Sequence, residues 1–384
     1  MRWTGTDRRT LLKGLAATAL LLRTGGGAHG AGPGPYYLSS IATAPDAYGA
    51  AVFDAAGSIV ATIDLPARGH GGCFRPRGTE AIVFARRPGD FAVVFDRRSG
   101  TILHTLHCPD DRHFYGHGVF DADGRLLHTT ENDYDAGRGV IGVWDASRDY
   151  ARVGEFDSGG IGPHEIVLMP DGRTLAVANG GLLTHPDTGR HKLNVPEMRP
   201  SLVLIDSADG RLVQRVELPR ELHKLSIRHL AVTPSRQAAV AMQYEGPEGD
   251  SPPLVFIWSG GGPRLLEAPP AVQSRMRNYT GSIAAGRDGR TFAVTAPRGG
   301  LTAFWSADGR FLGAADMTDV CGVAAAARTG AFVLSSGTGD RAVYGAGDVR
   351  AGRPLPASQL RWDNHIAALA DDPAIPAAGA DAIR

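Results

Sequence analysis

Residues 80–107 read EAIVFARRPGDFAVVFDRRSGTILHTLH. Two short apolar runs, "EAIVFA" and "DFAVVFD", precede the alternating "TILHTLH", with turn signals between them. The Ser-Gly of "DRRSGT" supplies the positive φ that a tight hairpin needs. The same grammar returns along the chain. "DADGRL", "MPDGRT" and "GRDGRT" match the "RPRGTE" that leads into residue 80, while "DSADGR" and "SADGRF" match "DRRSGT". Around them lie "LLHTTE", "VIGVWD" and "RVGEFD", then "TLAVAN", "SLVLID" and "LVQRVEL". Four short strands per unit of about 40–50 residues is the pattern of a β-propeller blade.

Innermost strands begin near His70, His117, His164, His229, Gly281, Cys321 and Asn364, so the expected fold is all-β, a seven-bladed β-propeller over residues 35–370. The last unit holds only its first strand, "NHIAALA". The segment that starts at "YYLSSIATA" holds three strands and no first one. Together they complete one blade, so strands from both termini close the ring and no long sheet edge stays open. Residues 371–384 read as a C-terminal tail.

Residues 1–31 read as an address rather than as fold. "TDRRTLLKGLAATALLL" sets Arg8-Arg9 before a short apolar run, the twin-arginine export pattern. That run is too short to cross a bilayer comfortably. A cleavage site is expected near residues 28–31, with an uncleaved anchor as the alternative because Arg23 interrupts the run's end. The expected location is therefore periplasmic, or at least extracytoplasmic. Lys plus Arg total 40 and Asp plus Glu total 40. This balance argues against nucleic acid, or a membrane beyond the export step, as a partner. The three cysteines form no CxxC, so neither a zinc ribbon nor covalently attached haem is indicated.

His70, His117 and His164 follow one another at intervals of 47 residues. In a propeller the loop entering the first strand and the loop leaving the second open on the same face. His70, His117, His164, Glu165 and His229 fall at first-strand starts. Arg86, Arg87, Glu131, Asn132, Asn179, Gln243, Glu245 and Arg298 fall at second-strand ends. All are expected to ring one mouth of the central channel and line a ligand site. Imidazoles with neighbouring carboxylates suit iron, copper or zinc, which makes His70, His117, His164 and His229 the candidate ligands. The competing reading is structural. Propellers of the WD type bury a Gly-His peg that answers a Trp-Asp later in the blade, as Gly116-His117 and Trp144-Asp145 could do.

The insertion "GGLLTHPDTGRHKLNVPEMRPS" (180–201) should rise on the mouth face as a lid. Its His185, Arg190, His191, Lys192 and Arg199 point to a small anionic ligand or an acidic partner. Three uses of the mouth follow: a metal-binding protein, a histidine-based hydrolase or oxidoreductase, or a protein–protein scaffold. The absence of GxSxG counts against acyl transfer.

The motifs "RGHGGCF", "ARRPGDFAVVFD", "RHFYGHGVF", "TTENDYDAGRGVIGVWD", "GIGPHE", "VANGGLLTHPDTGR", "LSIRHLAV", "MQYEG" and "DVCGVA" together resemble a bacterial family known as domain of unknown function 1513. The resemblance spans nearly the whole chain after the export signal. It implies an exported seven-bladed propeller. Through the imelysin-type and di-haem-oxidoreductase-type proteins that accompany the family, it implies a part in iron acquisition beside other periplasmic iron-uptake proteins. It supplies no catalytic residues.

Overall fold

The computed structural model describes residues 35–189 and 191–369. Residues 1–34, where the export signal is expected, residues 370–384 and Arg190 lie outside the described residues. Six four-stranded antiparallel sheets follow one another, and a seventh is shared by the two ends of the chain. In the first complete blade the order from axis to rim is Gly69–Phe74, Glu80–Ala85, Phe91–Asp96 and Ile102–His107. The next three innermost strands are Arg112–Phe120, Pro163–Leu168 and Leu225–Val232. Ser282–Ala285 and Val320–Ala325 complete the set of intact blades.

Middle strands are covered on both faces by neighbouring blades, which is why "AIVFA" and "FAVVF" can be continuously apolar. Phe84 and Phe95 are fully buried there, whereas only Leu106 is buried on the rim strand. The hairpin before that strand is held by its own side chain: Asp96 Oδ1 accepts from the Arg98 and Ser99 amides at 3.0 and 2.8 Å, and Gly100 takes φ +72°. Asp206 and Gly210 build the same turn two blades on.

The ring closes as the two half-units require. Tyr36–Ala44 pairs with Arg361–Trp362 and Ala367–Leu369, while Ala47–Phe53 and Ile59–Leu65 finish that blade outward. Arg341 stacks over Phe53 and Trp362 at 4.7 and 4.6 Å, joining residues from both ends of the chain. Arg68 Nε donates to Asp363 Oδ2 at 2.6 Å and ties the closing blade to the next.

Near the start of five innermost strands the ladder slips. Register breaks lie between Gly69 and Gly72, Phe114 and Gly118, Pro163 and Glu165, Ile227 and His229, and Val320 and Gly322. Each break leaves residues out of the pairing and re-aims side chains. His70, His117 and His164 sit in such breaks, and His229 adjoins one. His365 occupies the gap between the two inner segments of the closing blade.

Candidate metal centre at the propeller axis

The re-aimed imidazoles meet. Ring centroids lie 4.5 Å apart for His70 and His365, 4.6 Å for His229 and His365, and 4.7 Å for His117 with His365 and for His164 with His229. His117 lies 5.0 Å from His70 and 5.3 Å from His164. Glycine makes this density possible. A Cβ on Gly71 would stand 2.8 Å from His117 Nδ1, and one on Gly116 would stand 2.5 Å from His70 Cδ2. Gly116 also takes φ +104°, which only glycine adopts without strain. The peg reading does not hold for His117. Trp144 Nε1 donates to Thr129 Oγ1, and Asp145 Oδ1 caps the turn at Ser147 within the same blade.

Two carboxylates stand behind the rings. Glu165 Oε2 accepts from His229 Nδ1 at 3.1 Å and from the Leu230 amide at 3.0 Å, and Oε1 lies 3.7 Å from His117 Nδ1. Asp363 Oδ1 lies 3.9 Å from His70 Nδ1 and from Arg86 Nη1. His365 Nδ1 meets Ser282 Oγ at 3.3 Å. By contrast, His70 Nδ1, His117 Nε2, His164 Nδ1 and His365 Nε2 are buried with no hydrogen-bond partner.

The rings are held neutral. Burial pushes His70 down to about 4 against the pull of Asp363, and His117 and His229 to about 3. It carries His164 and His365 well below the ordinary histidine range, with His229 and Arg228 adding to the first and His70 and His229 to the second. Burial raises the Glu165 carboxyl. It works the same way on Asp363, but His70 and Arg68 hold that group below the usual carboxylate range. Donor nitrogens fall into two overlapping triads, His70–His117–His365 and His117–His164–His229, each within 4.8 Å.

Above this cluster a cavity of about 390 Å³ is lined by His70, His164 and His229 together with Arg86, Arg87, Arg298, Gln243 and Glu245 from second-strand ends. The insertion contributes Lys192, which ion-pairs with Glu245. Its Asn194 braces the loop by accepting from the Leu183 amide at 2.7 Å and donating to the Gly181 carbonyl at 2.9 Å. His185 turns away to Asp135 at 3.2 Å.

Three expected mouth residues lie elsewhere. Glu131 is 0 % exposed and bonded to Arg152 Nη1 at 2.7 Å and Thr129 Oγ1 at 2.8 Å. Asn132 donates to the Thr184 carbonyl and meets His113 Nε2, both at 3.1 Å. Asn179 donates to the Ser158 carbonyl at 3.0 Å. Strand ends place the backbone at the mouth, but side chains stand perpendicular to the sheet, so these groups pack on the blade faces rather than toward the axis. His365, Arg228, Tyr115, Asn278, Tyr279 and Asn364 were not foreseen. Only His365 had a usable signal, its place at the start of the last inner strand. Cys73, Cys108 and Cys321 are free thiols; burial raises all three, Cys321 to about 12.

A seven-bladed propeller with five imidazoles meeting at its axis under a basic cavity is the class that fold and site define. The chain belongs to the family described as protein of unknown function (DUF1513), whose model matches residues 63–369. Among solved structures it is similar to Kuenenia stuttgartiensis hydrazine synthase, with a TM-score of 0.58 and 16 % identity, covering 77 % of this chain and 91 % of that one. At that identity the likeness bears on the fold alone. No curated protein matches the chain.

Proposed function

We propose that this propeller binds a transition-metal ion in its axial histidine cluster and presents it to the cavity above. One observation carries the reading: five neutral imidazoles meet at the axis, and four of their nitrogens are buried without a partner. A buried polar atom left unpaired costs about 1–3 kcal/mol, so four in one place call for a ligand, and a cation held in either triad takes up the open nitrogens of that triad. Neutral imidazole suits zinc, copper, nickel and iron(II), with copper(II) bound tightest by an undemanding site. Glu165 accepting from His229 Nδ1 leaves Nε2 as the donor, the usual carboxylate–histidine–metal relay. A neutral ring has one lone pair, so His117 serves one triad at a time and one ion per chain is the expected filling.

General-base catalysis at the same mouth fits less well. Bases at about 3 to 4 are poorly matched to proton abstraction near neutrality. Export and a part in iron acquisition belong to this proposal on the strength of Arg8-Arg9 and the family resemblance. The test is metal content and calorimetric titration of the full chain with copper(II) and zinc(II). One ion per chain, with affinity reduced at least about a hundredfold in His117→Ala, is the expected result, since even outer partners of metal ligands are worth tenfold to a hundredfold. Equal affinity in the two proteins would end the reading.

A further inference from the structure

The cavity has a charge that the imidazoles do not explain. Arg86, Arg87, Lys192, Arg228 and Arg298 line it against a single carboxylate, Glu245. Glu245 is already shared: it pairs with Lys192, and its other oxygen lies 3.7 Å from Arg228. Arg228 is 6 % exposed, and its Nε is buried with no hydrogen-bond partner. A buried guanidinium with an open N–H and a part-share in one carboxylate is an uncompensated charge. Arg298 is held over the Tyr279 ring at 4.4 Å, which fixes its position beside the cavity. Arg86 shares Asp363 with Arg68 and His70.

We propose that this cavity is the receptor for a small organic anion bearing two or three carboxylates, gripped by Arg228 and Arg298 and seated over the imidazoles. Planar guanidinium forks match carboxylates two bonds at a time, which favours this class of anion over a point charge. The cavity volume of about 390 Å³ falls in the range of small-molecule sites and exceeds what one inorganic oxyanion fills. The anion site stands whether or not a metal lies beneath it. A second consequence does rest on the metal reading. Arg228 adjoins His229 on the strand Leu225–Val232 and lines the same cavity as His164, so its positive charge disfavours a cation beside those rings. An anion neutralising Arg228 would strengthen metal binding, and the coupling must be reciprocal.

The experiment titrates tricarballylate, a tricarboxylate without the chelating hydroxyl of citrate, into chelator-treated full-length protein and into copper-loaded protein. Propane-1,2,3-triol and inorganic phosphate are the comparators. Expected results are saturable binding to metal-free protein that weakens with salt, absent for the triol, and at least about tenfold weaker in Arg228→Gln and in Arg298→Gln, the loss of a charge-assisted contact. Arg298 is the check on folding, since it is less buried than Arg228; unchanged circular dichroism is required of both. Tricarballylate binding no better than the triol, or phosphate binding more tightly than tricarballylate, overturns the proposal. If tricarballylate binds while copper does not, the metal reading fails and the anion site stands. If both bind without coupling, the charge argument linking them is wrong.

Discussion

Five blades send an imidazole to the axis and two do not. In the blade that begins at Ser282 the equivalent group is a hydroxyl, and Ser282 Oγ meets His365 Nδ1 at 3.3 Å. In the blade that begins at Val320 the register break holds Cys321, whose thiol donates to its neighbour's backbone, Asp319 O, at 3.0 Å. Backbone and bulge are shared, while the side chains differ. The propeller thus supplies a ring of aimed positions, and sequence decides which of them carry a donor. The histidine side also holds both carboxylates, Glu165 and Asp363, and Arg228. The chemistry is concentrated in one arc, as a ligand site requires and a set of independent structural pegs would not.

That contrast predicts a graded series. The largest effect is expected for His117→Ala, which removes the ring common to both triads and should lower copper(II) affinity about a hundredfold or more, while Ser282→Ala, which removes only a 3.3 Å contact behind His365, should cost no more than about tenfold, the low end for an outer partner. Calorimetry on both variants measures the gap, and comparable losses would erase the distinction between the two arcs. Next comes Glu165→Gln, which removes the acceptor behind His229 Nδ1 and is expected to weaken binding about tenfold to a hundredfold.

The pH response of metal-free protein is read on stability rather than on affinity. His70, His117 and His229 titrate at about 4, 3 and 3 in the fold, against about 6.5 in the unfolded chain. Between those values the unfolded state takes up protons that the native state refuses. Stability should therefore fall as pH drops from about 6.5 toward 4, by up to about 1.4 kcal/mol per pH unit for each such histidine. His117→Gln should flatten that slope in a urea series, and an unchanged slope would mean that His117 is not held neutral. The smallest effect belongs to Cys321→Ser, which should leave metal affinity within about threefold because its thiol faces Asp319 rather than the imidazoles.

The fold was readable because each blade repeats its own turn chemistry. Asp96 with Gly100 and Asp206 with Gly210 are turns announced by residue type, and the apolar runs between them have no other period to obey. His70, His117 and His164 were readable from their spacing and glycine flanks. His365 was signalled only by its place at the start of the last inner strand, because its blade is assembled from both chain ends and its neighbours Asn364 and Ile366 carry no glycine signature. Arg228 was hidden for another reason: "LSIRHLAV" alternates like an ordinary strand, and only the bulge at Ile227–His229 sends the guanidinium to the cavity. Glu131, Asn132 and Asn179 erred the other way. Topology sorted their backbones correctly, while side-chain direction was settled by partners such as Arg152, His113 and Ser158.

X-ray absorption at the zinc edge of zinc-loaded protein addresses the central claim most directly. Zinc held by the axial imidazoles should give a first shell dominated by imidazole nitrogen at about 2.0–2.1 Å, with the outer-shell scattering of the rings, diminished in His117→Ala. A shell of oxygen alone, a sulfur shell near about 2.3 Å, or a spectrum identical in the variant would contradict it.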